Sequence, residues 1–538
     1  MIITTIIYAL ALSWLRLAIG MVISIIISIF VGILAGMNKT AEKIIIPIVD
    51  ILQSIPILGF FPVAVFFFVN FVPLIGVEMA AVFLIITSEL WNFIFAVYES
   101  VRSIPSYILE QAQLSNMSLM DKIAKIYIPS AWPRIIDNIP ISWAIGLFFL
   151  SSSEIISLGT TTYQLLGIGS ITFQLFNLGD FQDLYIAFIS LFLALVGTHA
   201  LFFRPLNEWS QKFKYEFTSS VTSTKIPWFI STFIRSSRPF RNITKHIVIP
   251  RRPISPFIKS RNLEPSYLPP SIEGNVLSYK NKIAIFNIAK ILRYITYIAL
   301  ILITGIFIYF ITGPIINSIY ILENLNNFIY ILTSVAYSGI RILIASAIMF
   351  PIIMLALLVA TNNLAKRVLL PLILIIASFP APLFIPLIIL WFGPKVEIIA
   401  ILVIISGSIW YIFYNAYSSI QLIPEDIKEC ILLSNLSKIQ KFKKLYFPAM
   451  LPGLVTGFIT AIGGAWNALI VAEWISIGNE VYSVKYGIGK LIDSAASSGD
   501  LNLMYASLIM MILVVVALDR TLWKKLYDYA TSKFRYEI

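Results

Sequence analysis

The stretch PSYILEQAQLSNMSLMDKIAKIYIP (residues 105–129) returns later in the chain as PEDIKECILLSNLSKIQKFKKLYFP (residues 424–448). Pro105, Glu110, Ser115-Asn116, Lys122, Lys125, Tyr127 and Pro129 recur 319 positions on as Pro424, Glu429, Ser434-Asn435, Lys441, Lys444, Tyr446 and Pro448. Outward from the stretch, the same offset pairs Trp91 with Trp410, Tyr98 with Tyr417, Pro133 with Pro452, Glu154 with Glu473 and Gly159 with Gly478. Further upstream Asn38, Pro47, Pro56 and Pro62 return 324 positions on as Asn362, Pro371, Pro380 and Pro386, which implies a five-residue length difference in the loop between. Two apolar sequences share leucines by chance, but not a register of rare residues, so the chain is an internal duplication.

What is duplicated follows from composition. Of 538 residues, 59% are hydrophobic and 12% charged, whereas a soluble domain carries about a quarter charged residues. A water-soluble enzyme of this size is nearly excluded. Apolar stretches long enough to cross a ~30 Å hydrocarbon layer lie near 15–36, 44–70, 76–100, 136–158 and 183–203, then near 292–312, 338–360, 368–392, 396–418, 451–476 and 502–522. These eleven spans predict an all-α polytopic membrane protein. Its expected parts are a first core at 1–203 with five spans, a linker at 204–291, and a second core at 292–538 with six.

The net charge of +12 sits in one place, since residues 204–293 hold 16 Lys or Arg against 4 Asp or Glu. Basic residues in short loops stay on the cytoplasmic side. With 204–293, 101–135 and 419–450 inside, 34 of the 39 basic residues are cytoplasmic. The amino terminus then faces outward, the linker and carboxy terminus inward, and both copies share one orientation, a parallel repeat about an axis along the membrane normal. The linker, rich in Pro, Ser, Arg and Lys, reads as an extended tether near anionic headgroups, not as a nucleic-acid site, because aromatic platforms are sparse. Met1–Leu12 lacks a basic leader and cleavage site, so no secretory peptide is expected. A single cysteine, Cys430, excludes an internal disulfide and a thiolate metal cluster, and His199 and His246 give no metal spacing.

The repeated loop is long for a helix hairpin and moderately amphipathic. Pro105 and Pro424 are placed to start a helix, and Pro129 and Pro448 to stop one. Asn116 and Asn435 supply the non-glycine residue that best tolerates a left-handed backbone, so each loop is expected to break into two short helices. Such a lateral helix either lies in the headgroup layer or docks into a soluble partner's groove.

The loop resembles the E-A-A-x3-G-x9-I-x-L-P signature of permease subunits of binding-protein-dependent ABC importers. Glu110, Ala112, Asn116, Ile126 and Pro129 fall at the family positions, as do Glu429, Asn435, Leu445 and Pro448. Both copies place asparagine where the family has glycine, and Cys430-Ile431 stands for the two alanines. Within the superfamily the chain resembles the nitrate, sulfonate and taurine type, on Ser54-Ile55-Pro56, Ser378-Phe379-Pro380, Trp391-Phe392-Gly393, Ala472-Glu473, and Gly487-Ile488-Gly489 with its twin Gly167-Ile168-Gly169. The resemblance implies two type I permease cores fused in one plasma-membrane protein that imports a small solute, an anion such as nitrate, sulfonate or bicarbonate. It further implies coupling loops, with Ser115 and Ser434 among their residues, seated on an ATP-hydrolysing homodimer, and an extracellular substrate-binding protein. No G-x-x-x-x-G-K-[ST] loop occurs, so the chain needs no cofactor of its own and ATP-Mg belongs on the partner. It is expected not to be an enzyme. The rival reading is a secondary transporter with parallel repeats, driven by an ion gradient.

Intramembrane acids are costly and therefore candidates for a role. Glu154 and Glu473 share a register and either line the interface between cores or pair with a hydroxyl or backbone group in a shielded place. Glu89 has no twin, since Ser408 stands in its place. Pro56, Pro62, Pro380 and Pro386, beside Ser54 and Ser378, either unwind their spans to face a cavity or only kink packing helices. Arg16 and Arg341 are expected to anchor the interface by snorkelling, or to steer an anion toward the entrance.

Overall fold

A computed structural model of the chain describes residues 2–53, 55–155, 165–210, 316, 318, 320–421, 423, 427, 429, 436–477, 480–523, 525, 526 and 529. The membrane-spanning helices of both copies belong to one compact unit, which comprises Met1–Lys214 and Ile308–Ile538.

Among the described residues eight helices are long and apolar enough to cross a membrane. In the first core these are α1 (Ile2–Met37), α4 (Gly76–Arg102), Leu119–Glu154, of which the long helix α7 (Ile128–Ile155) forms most, and Phe181–Ser210, which begins with α9 (Phe181–Thr198). The second core supplies Leu325–Thr361, then α15 (Val396–Gln421), then Ile439–Glu473, which contains α17 (Phe447–Glu473), and Leu501–Trp523, which begins with α19 (Leu501–Leu518). Three of the eleven expected spans are not single helices: the one at 338–360 turns at Phe350-Pro351 between Leu325–Met349 and Ile352–Thr361, and two others are broken outright. The one at 44–70 is α2 (Lys39–Gln53), a 3-10 turn at Ile57–Phe60 and α3 (Phe61–Phe71). Its twin at 368–392 is α13 (Asn363–Ala377), the turn Ala381–Leu383 and α14 (Phe384–Phe392), bent by 81° at the break. The cause is proline: Pro56 (φ −64°, ψ 110°) and Pro380 (φ −70°, ψ 123°) are extended, so neither continues the helix before it. The span expected at 292–312 lies outside the described residues.

The broken spans interlock the two cores. Leu58, Phe61 and Val65 are buried in the apolar cluster built mainly by the second core, while Leu383 and Leu387 are buried in that of the first. Leu58 N–H donates to the Asn467 side-chain oxygen of the other core at 3.3 Å. Gly59 lies so close that an added Cβ would stand 2.5 Å from the Leu508 side chain.

Within the first core α1 and α4 run parallel, because Gly20, Gly32 and Gly36 meet Ile85, Val97 and Val101 at one constant offset. A Cβ on Gly32 would lie 2.6 Å from Val97. Small residues let the backbones approach, and Ser28 Oγ then donates across the gap to the Leu90 carbonyl at 3.1 Å. The duplication extends to backbone detail. Wide π-helical turns occur at Ile123–Tyr127 and Phe442–Tyr446, and again at His199–Phe203 and Asp519–Trp523. The one departure from all-helical architecture among the described residues is a hairpin, β1 (Trp474–Ile477) paired antiparallel with β2 (Glu480–Ser483), directly after α17.

Candidate functional site

The repeated loop of the first core is an elbow. Helix α5 (Ser106–Leu114) starts at Pro105 and ends at Ser115. Asn116 follows at φ 48°, the sole non-glycine residue with positive φ among those described. Ser118 then caps α6 (Leu119–Lys122), its Oγ accepting from Asp121 N–H at 3.1 Å. One side of the elbow is fastened: Ala112, Ile126 and Tyr127 are buried with Val101, Ile104 and Ala131. The other side is open, with Glu110 and Ser115 exposed beside Leu114, Met120, Leu119 and Tyr107, which are 84%, 75%, 57% and 50% exposed. In the second core Glu429 is exposed, Leu445 is buried, and Ile439 is 68% exposed. Ser434 and Asn435 lie outside the described residues.

Pro129 and Pro448 were expected to stop a helix and instead stand at the second position of α7 and α17. A proline in a first turn lacks only a donor that has no intrahelical partner there. The π turns just before them carry the chain into the span without a break, so the first elbow is continuous with α7, and the described residues 436–446 of the second loop are continuous with α17.

At the other end of the spans each core holds one ion cluster. In the first, Arg16 donates from Nε and Nη2 to Glu78 at 2.6 Å each, and from Nη1 to Glu154 at 3.2 Å and to the Leu166 carbonyl at 2.8 Å. Glu154 also accepts from Ser13 Oγ at 2.7 Å and Gly169 N–H at 2.7 Å. In the second, Arg341 bridges Glu397 and Glu473, its Nη1 standing 2.8 Å from Glu473, which also accepts from Ser338 Oγ at 2.6 Å and Gly489 N–H at 2.8 Å. Arg16 and Arg341 are 6% and 4% exposed, so the expectation of snorkelling or anion-steering arginines is corrected. Their planar forks are consumed by two carboxylates and a carbonyl each.

The Gly-Ile-Gly twins belong to the same clusters. They open α8 (Ile168–Asn177) and α18 (Ile488–Ser498) against the ends of α7 and α17. A Cβ on Gly167 or Gly487 would collide with the Glu154 or Glu473 carboxylate, and one on Gly489 would stand 2.6 Å from the Leu469 carbonyl. Asp493 departs from the symmetry. It is buried beside Glu473, and its Oδ1 has no partner among the described residues. Burial, and secondarily the Glu473 charge, push its carboxyl well above the ordinary range. Glu89 is likewise buried, with neither oxygen partnered among the described residues.

A chamber of about 660 Å³ lies between the cores. Its wall repeats with the chain: Asp50 and Gln53 answer Leu374 and Ala377, and His199 answers Asp519. Ser378 lines it, with Ile57, Phe379 and Ala381 from the two breaks. Pro56 and Pro380 create those breaks, and Pro62 and Pro386 stand in the first turns of the helices that follow; all four are buried and none lines the chamber. Glu154 and Glu473 do not line it either, and Ser54 lies outside the described residues. Trp91, Asn92, Trp410 and Tyr411 do line it. Their one signal in the sequence is the repeat register that pairs Trp91 with Trp410, together with a mid-span asparagine.

Residues 24–206 and 352–521, together more than half of the chain, match the family described as binding-protein-dependent transport system inner membrane component. The chain is 31% identical over 147 residues to the nitrate import permease protein of Leptolyngbya laminosa, which covers 27% of this chain and 50% of that protein. A Bacillus subtilis (strain 168) permease named for aliphatic sulfonates transport is 29% identical over 150 residues, 27% of this chain and 51% of its own. The bicarbonate transport system permease protein of Synechococcus elongatus is 35% identical over 79 residues, 15% and 28% of the two chains. Each match thus spans about half or less of the relative's length.

Proposed function

Since this chain belongs to the family of binding-protein-dependent transport system inner membrane components, we propose that it supplies both permease halves of one ATP-driven importer. It is a multi-pass plasma-membrane protein, and its homologues are transporter membrane subunits, not enzymes. Hydrolysis then falls to a separate nucleotide-binding homodimer, each subunit receiving one elbow. Glu110, Ala112, Ser115, Asn116, Ile126 and Pro129 form one coupling loop, and Glu429, Ser434, Asn435, Leu445 and Pro448 the other. An extracellular binding protein delivers the solute, a small anion of the nitrate, sulfonate or bicarbonate class by likeness to the named relatives. The amino terminus faces outward, and the basic segment 204–291 joins the cores on the cytoplasmic side.

The observation that carries this reading is the two-sided elbow. Side chains such as Leu114 and Met120 stay exposed on a loop whose inner side is already packed, which suits a groove-seated helix. Being continuous with α7, the elbow can pass a push from below into the wall of the chamber. Pulling down the full-length chain with its ATPase tests this. The double variant Glu110→Lys, Glu429→Lys is expected to lose the ATPase while the permease remains monodisperse in detergent. Retention of the ATPase together with undiminished uptake would refute the coupling assignment.

A further inference from the structure

The two copies present equivalent helices to the chamber but not equivalent faces. Pro133 with Pro452 and Glu154 with Glu473 fix the register of α7 against α17. Positions three and four apart share one face of a helix, and on that face the chamber is lined by Ile141, Ala144 and Phe148 in the first core and by their twins Thr460, Gly463 and Asn467 in the second. At each position the second core carries the smaller residue, and at two of them a polar one. A fourth exchange is compensated. Ile145 answers Gly464, but on the facing helices Asn92 answers Tyr411, and a Cβ on Gly464 would stand 3.1 Å from the Tyr411 ring. Bulk has moved there from one helix to its neighbour, and no room is gained. Gly463 has no such filler, since a Cβ added to it meets nothing within 4 Å. Glycine inside a helix is destabilising relative to alanine, and neither close packing nor a positive φ accounts for this one. Beside it Asn467 is held at both ends: its Nδ2 donates to the Gly463 carbonyl at 3.2 Å, and its Oδ1 accepts from Leu58 N–H at 3.3 Å. The twin Phe148 instead puts a ring between the cores, 3.7 Å from where a Cβ on Gly407 would stand.

We infer that the chamber holds a single solute seat, off the pseudo-two-fold axis and against α17 of the second core, with Gly463 as its floor and Thr460 and Asn467 as its polar edge. This rests on the importer reading and deepens it. A permease built from two copies of one chain presents the same face twice, so a solute meets two equal seats or one on the axis. A duplicated chain is free of that constraint. Here Ile141, Ala144 and Phe148 fill the first core's half with apolar bulk, and the second core's half keeps the space and the hydrogen-bonding groups that a polar solute needs when it leaves water. Because that space is set by the missing methyl of Gly463, this residue decides how large a solute the seat accepts.

The test uses the full chain with its ATPase and binding protein in proteoliposomes, with nitrate, bicarbonate and ethanesulfonate as uptake probes, and reads each variant against its twin. Gly463→Leu is expected to lower uptake of the transported probe about tenfold, the effect of overfilling a packed site, while Ala144→Leu leaves uptake largely unchanged. Gly463→Ala, whose added methyl meets no protein atom, is expected to assemble normally and to slow ethanesulfonate more than nitrate. An equal or larger loss in Ala144→Leu, or unimpaired uptake in Gly463→Leu, overturns the inference. A second measurement needs no transport. In a chain carrying Cys430→Ser, the variants Gly463→Cys and Ala144→Cys are treated in detergent with 2-sulfonatoethyl methanethiosulfonate, a small charged thiol reagent. The thiol at position 463 is expected to react several-fold faster than the one at 144, and equal or slower reaction overturns the seat. If the unmodified assembly moves none of the three probes, the anion importer reading has failed, and the two thiol rates alone decide for or against the open face at Gly463.

Discussion

Replacing Arg341 with alanine probes the ion cluster of the second core where it is least solvated. Glu473 is 0% exposed. Without the guanidinium 2.8 Å away it keeps the Ser338 hydroxyl at 2.6 Å and the Gly489 N–H at 2.8 Å, but no positive charge. Stranding one partner of a buried pair costs about 3–5 kcal/mol. The contact of Arg341 with Glu397 adds little, because that carboxylate is 58% exposed, and an exposed pair is worth at most ~1 kcal/mol. Arg341→Ala is therefore expected to destabilise the chain by about 3–5 kcal/mol, and Glu397→Gln by less than ~1 kcal/mol. Combining Arg341→Ala with Glu473→Gln removes the stranded charge and should recover at least ~1 kcal/mol relative to Arg341→Ala alone, since residues in one network do not add. The assay is denaturant unfolding of the purified full-length chain in detergent, followed by intrinsic tryptophan fluorescence. If Arg341→Ala and Glu397→Gln cost the same, or the double variant equals the sum of its parts, the cluster is not the buried device described above.

Gly489→Ala pushes a Cβ to 2.6 Å from the Leu469 carbonyl and is expected to cost about 1–3 kcal/mol by overpacking; Gly499→Ala, with nothing within 4 Å but φ +77°, separates that effect from backbone strain in the same unfolding experiment. Asp493 has a folded-state carboxyl raised above its unfolded value by burial and the nearby Glu473. Its contribution to stability is thus full at acid pH and lost as pH rises, so Asp493→Asn should raise the unfolding midpoint at pH 8 and leave it unchanged near pH 4. Asn116, at φ 48°, should tolerate glycine without loss of ATPase co-purification, while Asn116→Val strains the elbow by about 1–2 kcal/mol and weakens that co-purification.

Much of this protein was legible in the sequence because lipid simplifies the problem. A spanning segment must satisfy its own backbone, so an apolar run of sufficient length is a helix before any partner is known. The duplication was equally legible, since the repeat register of Pro105–Pro129 and Pro424–Pro448 needs no structure to be read. The left-handed turn at Asn116 follows from local sterics alone. Residues whose meaning depends on another helix were not legible. Arg16 reads as an exposed outer anchor until Glu78 and Glu154, which stand 62 and 138 positions away, are brought to it. The Gly-Ile-Gly twins read as a family likeness until the carboxylate lying against Gly167 and Gly487 gives their reason.

The chain by itself thus determined the membrane, the two copies and the left-handed turn of the first elbow, because each depends on short-range chemistry, whereas it left open whether the prolines interrupt their spans or only kink them. Tertiary structure decided that the interrupted spans are exchanged between cores, that the arginines are buried in ion clusters, and that paired tryptophans face one chamber. Periodicity along a helix tells which residues share its face, but not which helix that face will meet; that is settled only when the small residues of Gly20, Gly32 and Gly36 let particular backbones close on one another.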